Sequence, residues 1–330
     1  MMLHPGIIAL LVSSGLISFL ALYASAYGAL ILRKWDIASG SSLQLDLERR
    51  TYLISTILSY VFAFQLLSLF LYVYTADKLC PLFVGAMCAA GTLNVNGFGY
   101  PVLLLKILNF LLAGQWLILN AADNRAEDYP LIRKKYALLL VIMPLLVAET
   151  VLLVLYIQGL NPDVITSCCG SLFSSSSRGV AADLASLPAK PLAAFFTAVL
   201  LLAAAGGVFF AVKGRGGLLV AAASLLAFLA GIASLISFIG PYAYELPTHH
   251  CPFCVLQRDY HYIGYLLYIG LLGVAVSGMG VGTLMPFRSV PSLCSVIPPF
   301  QRRLSVATVC FSVFLGAVVL LIVLSSNLRM

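Results

Sequence analysis

Eight stretches of almost unbroken apolar residues, each near the length that crosses a bilayer, constrain this chain more than any other feature. A helix rising 1.5 Å per residue needs about 20 residues to cover a hydrocarbon core of roughly 30 Å. The stretches fall at roughly 6–32, 51–75, 101–121, 137–159, 191–212, 218–240, 263–284 and 305–327. Composition agrees: 62% of the 330 residues are hydrophobic, 9% are charged, and the mean hydropathy is +1.03. The expected fold is all-α, a polytopic membrane helix bundle of about eight transmembrane helices in the lipid bilayer. No stretch between the spans is long enough for a separate soluble domain, so residues 1–330 read as a single integral-membrane domain.

A net charge of +7 raises the question of nucleic acid, but the basic residues are scattered through short loops. Their placement reads as topology and argues against a nucleic-acid partner. Arg33, Lys34, Arg49, Arg50, Arg125, Arg133, Lys134, Lys135, Lys213, Arg215, Arg288, Arg302 and Arg303 fall in one set of four loops. That set should be cytoplasmic. The loops at 76–100, 160–190 and 241–262 carry only Lys78, Arg178, Lys190 and Arg258 and should face outward, with both termini outside. Ala24-Ser25-Ala26 resembles a signal cleavage site, yet no Lys or Arg precedes its apolar run and Arg33 and Lys34 follow at once. A retained first span is expected. The segment 38–48, with Leu43, Leu45 and Leu47 alternating with polar residues, suits a stretch lying on the inner membrane surface.

Six of the eight cysteines sit on the expected outer side: Cys80 and Cys88 in the first loop, Cys168 and Cys169 in the second, Cys251 and Cys254 in the third. Disulfides persist on that side. Cys251 and Cys254 form a Cys-x-x-Cys dithiol in His249-His250-Cys251-Pro252-Phe253-Cys254, followed by a long apolar helix. Cysteine reactivity runs through the thiolate, which cationic neighbours and helix N-termini favour. Thiol–disulfide exchange is therefore the first expectation. Cys168 and Cys169 are adjacent, about 3.8 Å apart at Cα against the roughly 4.4–6.8 Å typical of disulfides, so a bond between them would be strained and easily reduced. Alternatively each pairs with Cys80 or Cys88. Cys294 and Cys310 are assigned no chemistry.

A short echo links Tyr74 through Cys80-Pro81-Leu82-Phe83 before span three with Tyr244 through Cys251-Pro252-Phe253 before span seven. It suggests a 4+4 internal repeat with halves 1–160 and 161–330, which would bring the first and third outer loops together. Asn94 to Pro101 reads as a turn whose glycines and asparagines permit positive φ, or as a lid over a ligand. Within the spans, Lys106 lies about 7 to 8 Å and Glu149 about 15 Å below the outer ends of their helices. Intramembrane ionisable groups are candidates for function. Here they read as a structural ion pair, a proton relay or a polar anchor for a membrane ligand. Gln65, Asn109, Gln115 and Asn120 read as interhelical hydrogen-bond contacts.

The run Cys251-Pro252-Phe253-Cys254-Val255-Leu256-Gln257-Arg258 resembles the Cys-x-x-Cys-x-x-Glu/Gln-Arg signature of DsbB, the quinone-linked disulfide oxidase of bacterial inner membranes, and more distantly the vitamin K epoxide reductase group. The resemblance covers one loop and the start of span seven. It implies a dithiol, Cys251 and Cys254, that exchanges electrons with a membrane quinone, and Arg258 as the cation beside that cofactor. It also implies a bacterial inner-membrane location and an extracytoplasmic thiol-disulfide protein as partner. In that family the dithiol lies in the first outer loop of four spans, with a second cysteine pair in the next. Here only one span, the eighth, follows span seven and no outer cysteine comes after Cys254, so the shuttle pair would be Cys80/Cys88 or Cys168/Cys169. His250 is the candidate proton carrier beside the dithiol, and Gln257, His261, Lys106 and Glu149 are candidate contacts of the quinone. Two other readings stand beside the oxidoreductase. One is a soft-metal or metalloid binding or transport protein using His249, His250, Cys251 and Cys254, with Cys168 and Cys169; the other is a structural membrane subunit braced by disulfides.

Overall fold

The computed structural model describes residues 3–37, 39–166 and 180–329. Among them eight helical segments are long and apolar enough to cross a membrane, and no strand occurs. The spanning helices are α1 (Pro5–Lys34), α2 (Ser42–Leu79), α4 (Gly99–Asp123), α5 (Ile132–Gln158), α7 (Ala189–Lys213), α8 (Gly217–Ser234), α10 (Ile263–Thr283) and α11 (Ile297–Ser325). Short helices α3 (Ala89–Leu93), α6 (Val180–Ala185) and α9 (Gly240–Tyr244) lie between them. Exposed apolar side chains such as Phe19, Leu201, Leu219 and Leu324 give these helices the surface a bilayer covers.

The expected spans all recur, with one change at the start of α2. Residues 42–48 do not lie apart on a membrane surface; they are the first turns of that helix. Ser41 Oγ accepts from the Gln44 N–H at 3.3 Å, as a helix cap does, and Gln44 donates to Glu48 at 2.8 Å. Arg50 pairs with Asp46 one turn back at 2.8 Å. These i, i+4 contacts carry the helix out beyond the apolar run.

The chain divides into two compact units. The first comprises Met1–Thr75, Asn96–Leu160 and Pro286–Ile297, and the second Ala76–Val95, Asn161–Met285 and Pro298–Met330. A boundary between them falls at Leu160–Asn161, and the segments 76–95 and 286–297 each belong to the other unit. One of these, 76–95, carries Cys80 and Cys88 into the unit that holds the Cys-x-x-Cys loop.

In the first unit α5 packs on both α1 and α4, and a core of Ile17, Leu58, Phe62, Trp116, Tyr136 and Ile142 joins all four helices. Lipid tails are as apolar as these side chains, so packing and polar contacts, more than the hydrophobic effect, hold such helices together. Two buried ion pairs supply the polar part. Lys106 Nζ lies 2.7 Å from Glu149 Oε1, while Gln65 and Asn109 each donate to Oε2 at 2.7 Å. Lys106 also donates to Ser68 Oγ at 3.1 Å. The second pair is Lys135 with Asp123, at 2.7 Å, and Lys135 donates further to Asn120 at 2.9 Å. Lys135 is thus no loop charge: it is fully buried. The Phe62–Trp116 edge contact, 4.9 Å between centroids, belongs to the apolar core that the two networks flank.

In the second unit α8 packs on α7 and α10 through small residues. A Cβ at Gly231 would strike Leu271, and one at Gly278 would strike Ser224, so these helices approach as closely as glycine permits. Helix α11 closes the bundle: Ser305 donates to Gly207 O at 2.6 Å and Thr308 to Ser277 Oγ at 3.0 Å. Above α8 the backbone widens into a π segment, Leu235–Ile239. Gly240 donates its N–H to Leu235 O, and Pro241 has no N–H, so neither residue serves the Ile236 carbonyl.

Candidate functional site: a buried thiol cluster

Cys251, Pro252, Phe253 and Cys254 form an irregular loop that ends in the tight turn Cys254–Leu256. A second turn, Arg258–Tyr260, follows, and α10 starts only at Ile263. The dithiol therefore does not occupy the N-terminus of the long helix, contrary to the expectation from the apolar run beyond it. Buried tyrosine hydroxyls hold its backbone instead. Tyr244 Oη donates to Cys251 O at 2.5 Å and accepts from the Val255 N–H at 2.9 Å. Tyr268 Oη donates to Pro252 O at 2.5 Å. Gly240 leaves room for this arrangement, since a Cβ there would come 3.3 Å from the Tyr244 ring.

Cys88 reaches the same place from the first loop. It precedes α3 in extended conformation, and its carbonyl accepts from Gly91 at 3.0 Å. Thr166 fastens that loop, donating its N–H to Val84 O at 2.9 Å and its hydroxyl to Gly91 O at 3.0 Å. Between them Gly85 adopts φ +84, and a Cβ there would collide with the Thr166 carbonyl. Only glycine fits both demands. Gln257 straps the two cysteine-bearing segments together, donating to Met87 O at 2.7 Å and to Asp77 Oδ1 at 3.2 Å.

The result is a cluster of three sulfurs. Cys88 Sγ stands 3.5 Å from Cys251 Sγ, and the sulfurs of Cys88, Cys251 and Cys254 all lie within 4.8 Å of one another. Cys88 and Cys251 are wholly buried and Cys254 is 5% exposed. A disulfide is about 2.05 Å long, so the Cys88–Cys251 contact is a touching pair and not a bond. Reacting atoms about 3–3.5 Å apart are in position for attack.

His249, and not His250, is the histidine that meets the thiol cluster. His250 Nδ1 lies 2.9 Å from Ile236 O, the carbonyl that the π segment leaves without a helical donor. Because that partner is an acceptor, Nδ1 carries the proton, and His250 pins the loop to the end of α8. His249 meets the sulfur: its Nε2 is 3.4 Å from Cys254 Sγ, and its ring stands edge-on to Tyr244 at 4.4 Å.

The other candidates separate. Gln257 is engaged by the loop strap. Arg258 and His261 are exposed, and among the described residues Arg258 forms no ion pair. Lys106 and Glu149 belong to the closed network of the first unit, each with several partners inside it. Cys80 is buried and opens the turn Cys80–Leu82. Cys168 and Cys169 lie outside the described residues. The Asn94 to Pro101 stretch contains no positive φ; Asn96 caps the Phe98 N–H at 3.0 Å and donates to Tyr156 O at 2.9 Å, which makes it a fixed turn. Tyr244, Tyr268 and Thr166 were not singled out by residue type. Their roles come from tertiary placement, with the Pro241 beside Tyr244 as the one local signal.

Fold and site together define an all-α polytopic membrane protein whose second unit buries a trithiol cluster. No protein-family model, curated protein or solved structure matches the chain.

Proposed function

We propose that this protein is a membrane thiol–disulfide oxidoreductase in which Cys88 exchanges with the Cys251/Cys254 pair. The observation that carries the reading is the 3.5 Å approach of Cys88 Sγ to Cys251 Sγ. With Cys251 and Cys254 joined as a disulfide, the Cys88 thiolate attacks Cys251 Sγ. The Cys88–Cys251 bond forms, the Cys251–Cys254 bond breaks, and Cys254 leaves as a thiolate. His249, at 3.4 Å, is placed to give it a proton. A second thiolate then attacks Cys88 Sγ, makes a new disulfide with it and releases Cys251. We favour Cys80, eight residues before Cys88 on the same loop, as that thiolate; a dithiol of an extracytoplasmic protein then reduces the Cys80–Cys88 disulfide by two further exchanges and is itself oxidised. Two electrons pass from the donor dithiol to the Cys251/Cys254 pair.

A membrane quinone is the acceptor class that the resemblance to DsbB implies; bound, it would take up the two electrons and two protons whose loss from the reduced pair restores the Cys251–Cys254 disulfide. Arg258 would supply the cation at the membrane edge. Lys106, Glu149 and Gln257 are engaged elsewhere and are not part of this proposal. The loop charges favour the cluster on the extracytoplasmic side, and the resemblance to DsbB implies a bacterial inner membrane.

The test is quinone reduction by the protein in liposomes with a small dithiol donor. Cys251→Ser and Cys88→Ser should each abolish dithiol-dependent turnover, with Cys294→Ser unchanged. Unaltered turnover in Cys251→Ser would refute the reading.

A further inference from the structure

The same three sulfurs carry a second chemistry that needs no exchange reaction. We infer that Cys88, Cys251 and Cys254, when all reduced, form a trithiolate site for a single thiophilic d¹⁰ cation of the Zn²⁺ or Cd²⁺ class, with His249 at its edge. A Zn–S bond of about 2.3 Å places tetrahedral sulfur ligands about 3.8 Å apart and trigonal ones about 4.0 Å apart. The observed sulfurs bracket these values, from 3.5 Å to at most 4.8 Å. Shifts of under about 1 Å would seat the ion. The donor set selects the metal class, because three thiolates with no carboxylate among them suit soft ions and not Mg²⁺ or Ca²⁺.

Burial supplies the driving force. Thiolates in a pocket exposed by no more than 5% are costly to hold uncompensated, and a dication offsets their charge. The cage is also held before any ion arrives. The carbonyls of Cys251 and Pro252 are fixed by Tyr244 and Tyr268, and Cys88 by the Thr166 and Gln257 contacts on its loop. His249 Nε2 lies 3.4 Å from Cys254 Sγ but outside the group of mutually close ligand atoms, so it stands beside the site as an outer partner of Cys254. His250, by contrast, keeps its Nδ1 on Ile236 O, so Cys88 takes the place that the sequence alone suggested for it. Closing the Cys251–Cys254 disulfide would remove two of the three ligands. Metal capture and disulfide exchange would therefore exclude one another.

The experiment titrates Cd²⁺ into the full chain in detergent with excess phosphine reductant. Sulfur-to-cadmium charge-transfer absorption reports binding, and alkylation mapped by mass spectrometry reports which thiols the ion covers. One Cd²⁺ per chain should bind, protecting Cys88, Cys251 and Cys254 together. Saturable binding should be lost in Cys88→Ser and after diamide oxidation, kept in Cys80→Ser, and weakened about tenfold in His249→Ala. Absence of tight binding to the reduced wild type, or protection that omits Cys88, would overturn the inference, and the protection map needs no variant to fold. Cadmium binding without dithiol-dependent quinone reduction would separate this site from the oxidoreductase reading.

Discussion

Tyr244→Phe removes one oxygen atom and tests how the dithiol is held. That oxygen serves two buried groups, the Cys251 carbonyl and the Val255 N–H, in residues 0% and 1% exposed. Losing a partner for a buried polar group costs about 1–3 kcal/mol, so two such losses cost about 2 kcal/mol at the low end. The cost falls on the closed form of the loop and so favours local opening. At 1.4 kcal/mol per tenfold, about 2 kcal/mol is a roughly 30-fold rise in the open population. The assay is the rate of maleimide alkylation at Cys251 in reduced protein, with reclosing faster than reaction. Tyr244→Phe should react about 30-fold faster, while Tyr262→Phe, at an exposed position, should match the wild type. A Tyr244→Phe rate within threefold of the wild type would show that the hydroxyl does not hold the loop.

Three further outcomes follow from the same geometry. Glu149→Leu strands the fully buried Lys106 charge and should cost about 3–5 kcal/mol in unfolding of the micellar protein, whereas Lys106→Met with Glu149→Leu should recover most of that loss; equal losses in the single and double variants would refute a charge effect. Gly85→Val forces a branched side chain into φ +84 against the Thr166 carbonyl, costing about 1–3 kcal/mol in strain alone, and should raise Cys88 alkylation well above the wild-type rate. His250→Ala leaves the Ile236 carbonyl without its imidazole donor, and hydrogen exchange at residues 235–240 should speed up by about tenfold or more, with no change in the first unit.

The spans were legible because the signal that encodes them, apolar length, is local. Loop charge was less sure a guide at one position. Lys135 follows Arg133 and Lys134 and looks like their companion, but helical rotation turns it inward to Asp123. The start of α2 was misjudged for a similar reason. Leu43, Leu45 and Leu47 alternate with polar residues in sequence, which resembles a surface-lying segment, while in the helix Gln44 and Leu47 are the buried positions and the Ser41, Gln44 and Glu48 contacts join the turns. The Cys-x-x-Cys pair was visible as a motif, whereas the choice of Cys88 as its neighbour was not. That choice depends on Gly85, Thr166 and Gln257, which lie far apart in sequence and meet only in the folded unit. The division of labour between His249 and His250 was equally hidden. It follows from the π segment before Pro241, which presents a spare carbonyl to one histidine, while the other lies against the sulfur.

The central claim is that Cys88 attacks Cys251, and a trapped intermediate tests it most directly. In Cys254→Ser the resolving thiol is gone, so a disulfide formed between Cys88 and Cys251 cannot be displaced from within the pair. After mild oxidation of this variant, peptide mapping under non-reducing conditions should find Cys88 joined to Cys251 as the dominant cross-link. A cross-link from Cys251 to Cys80, Cys168 or Cys169 in its place, with Cys88 left as a thiol, would contradict the account.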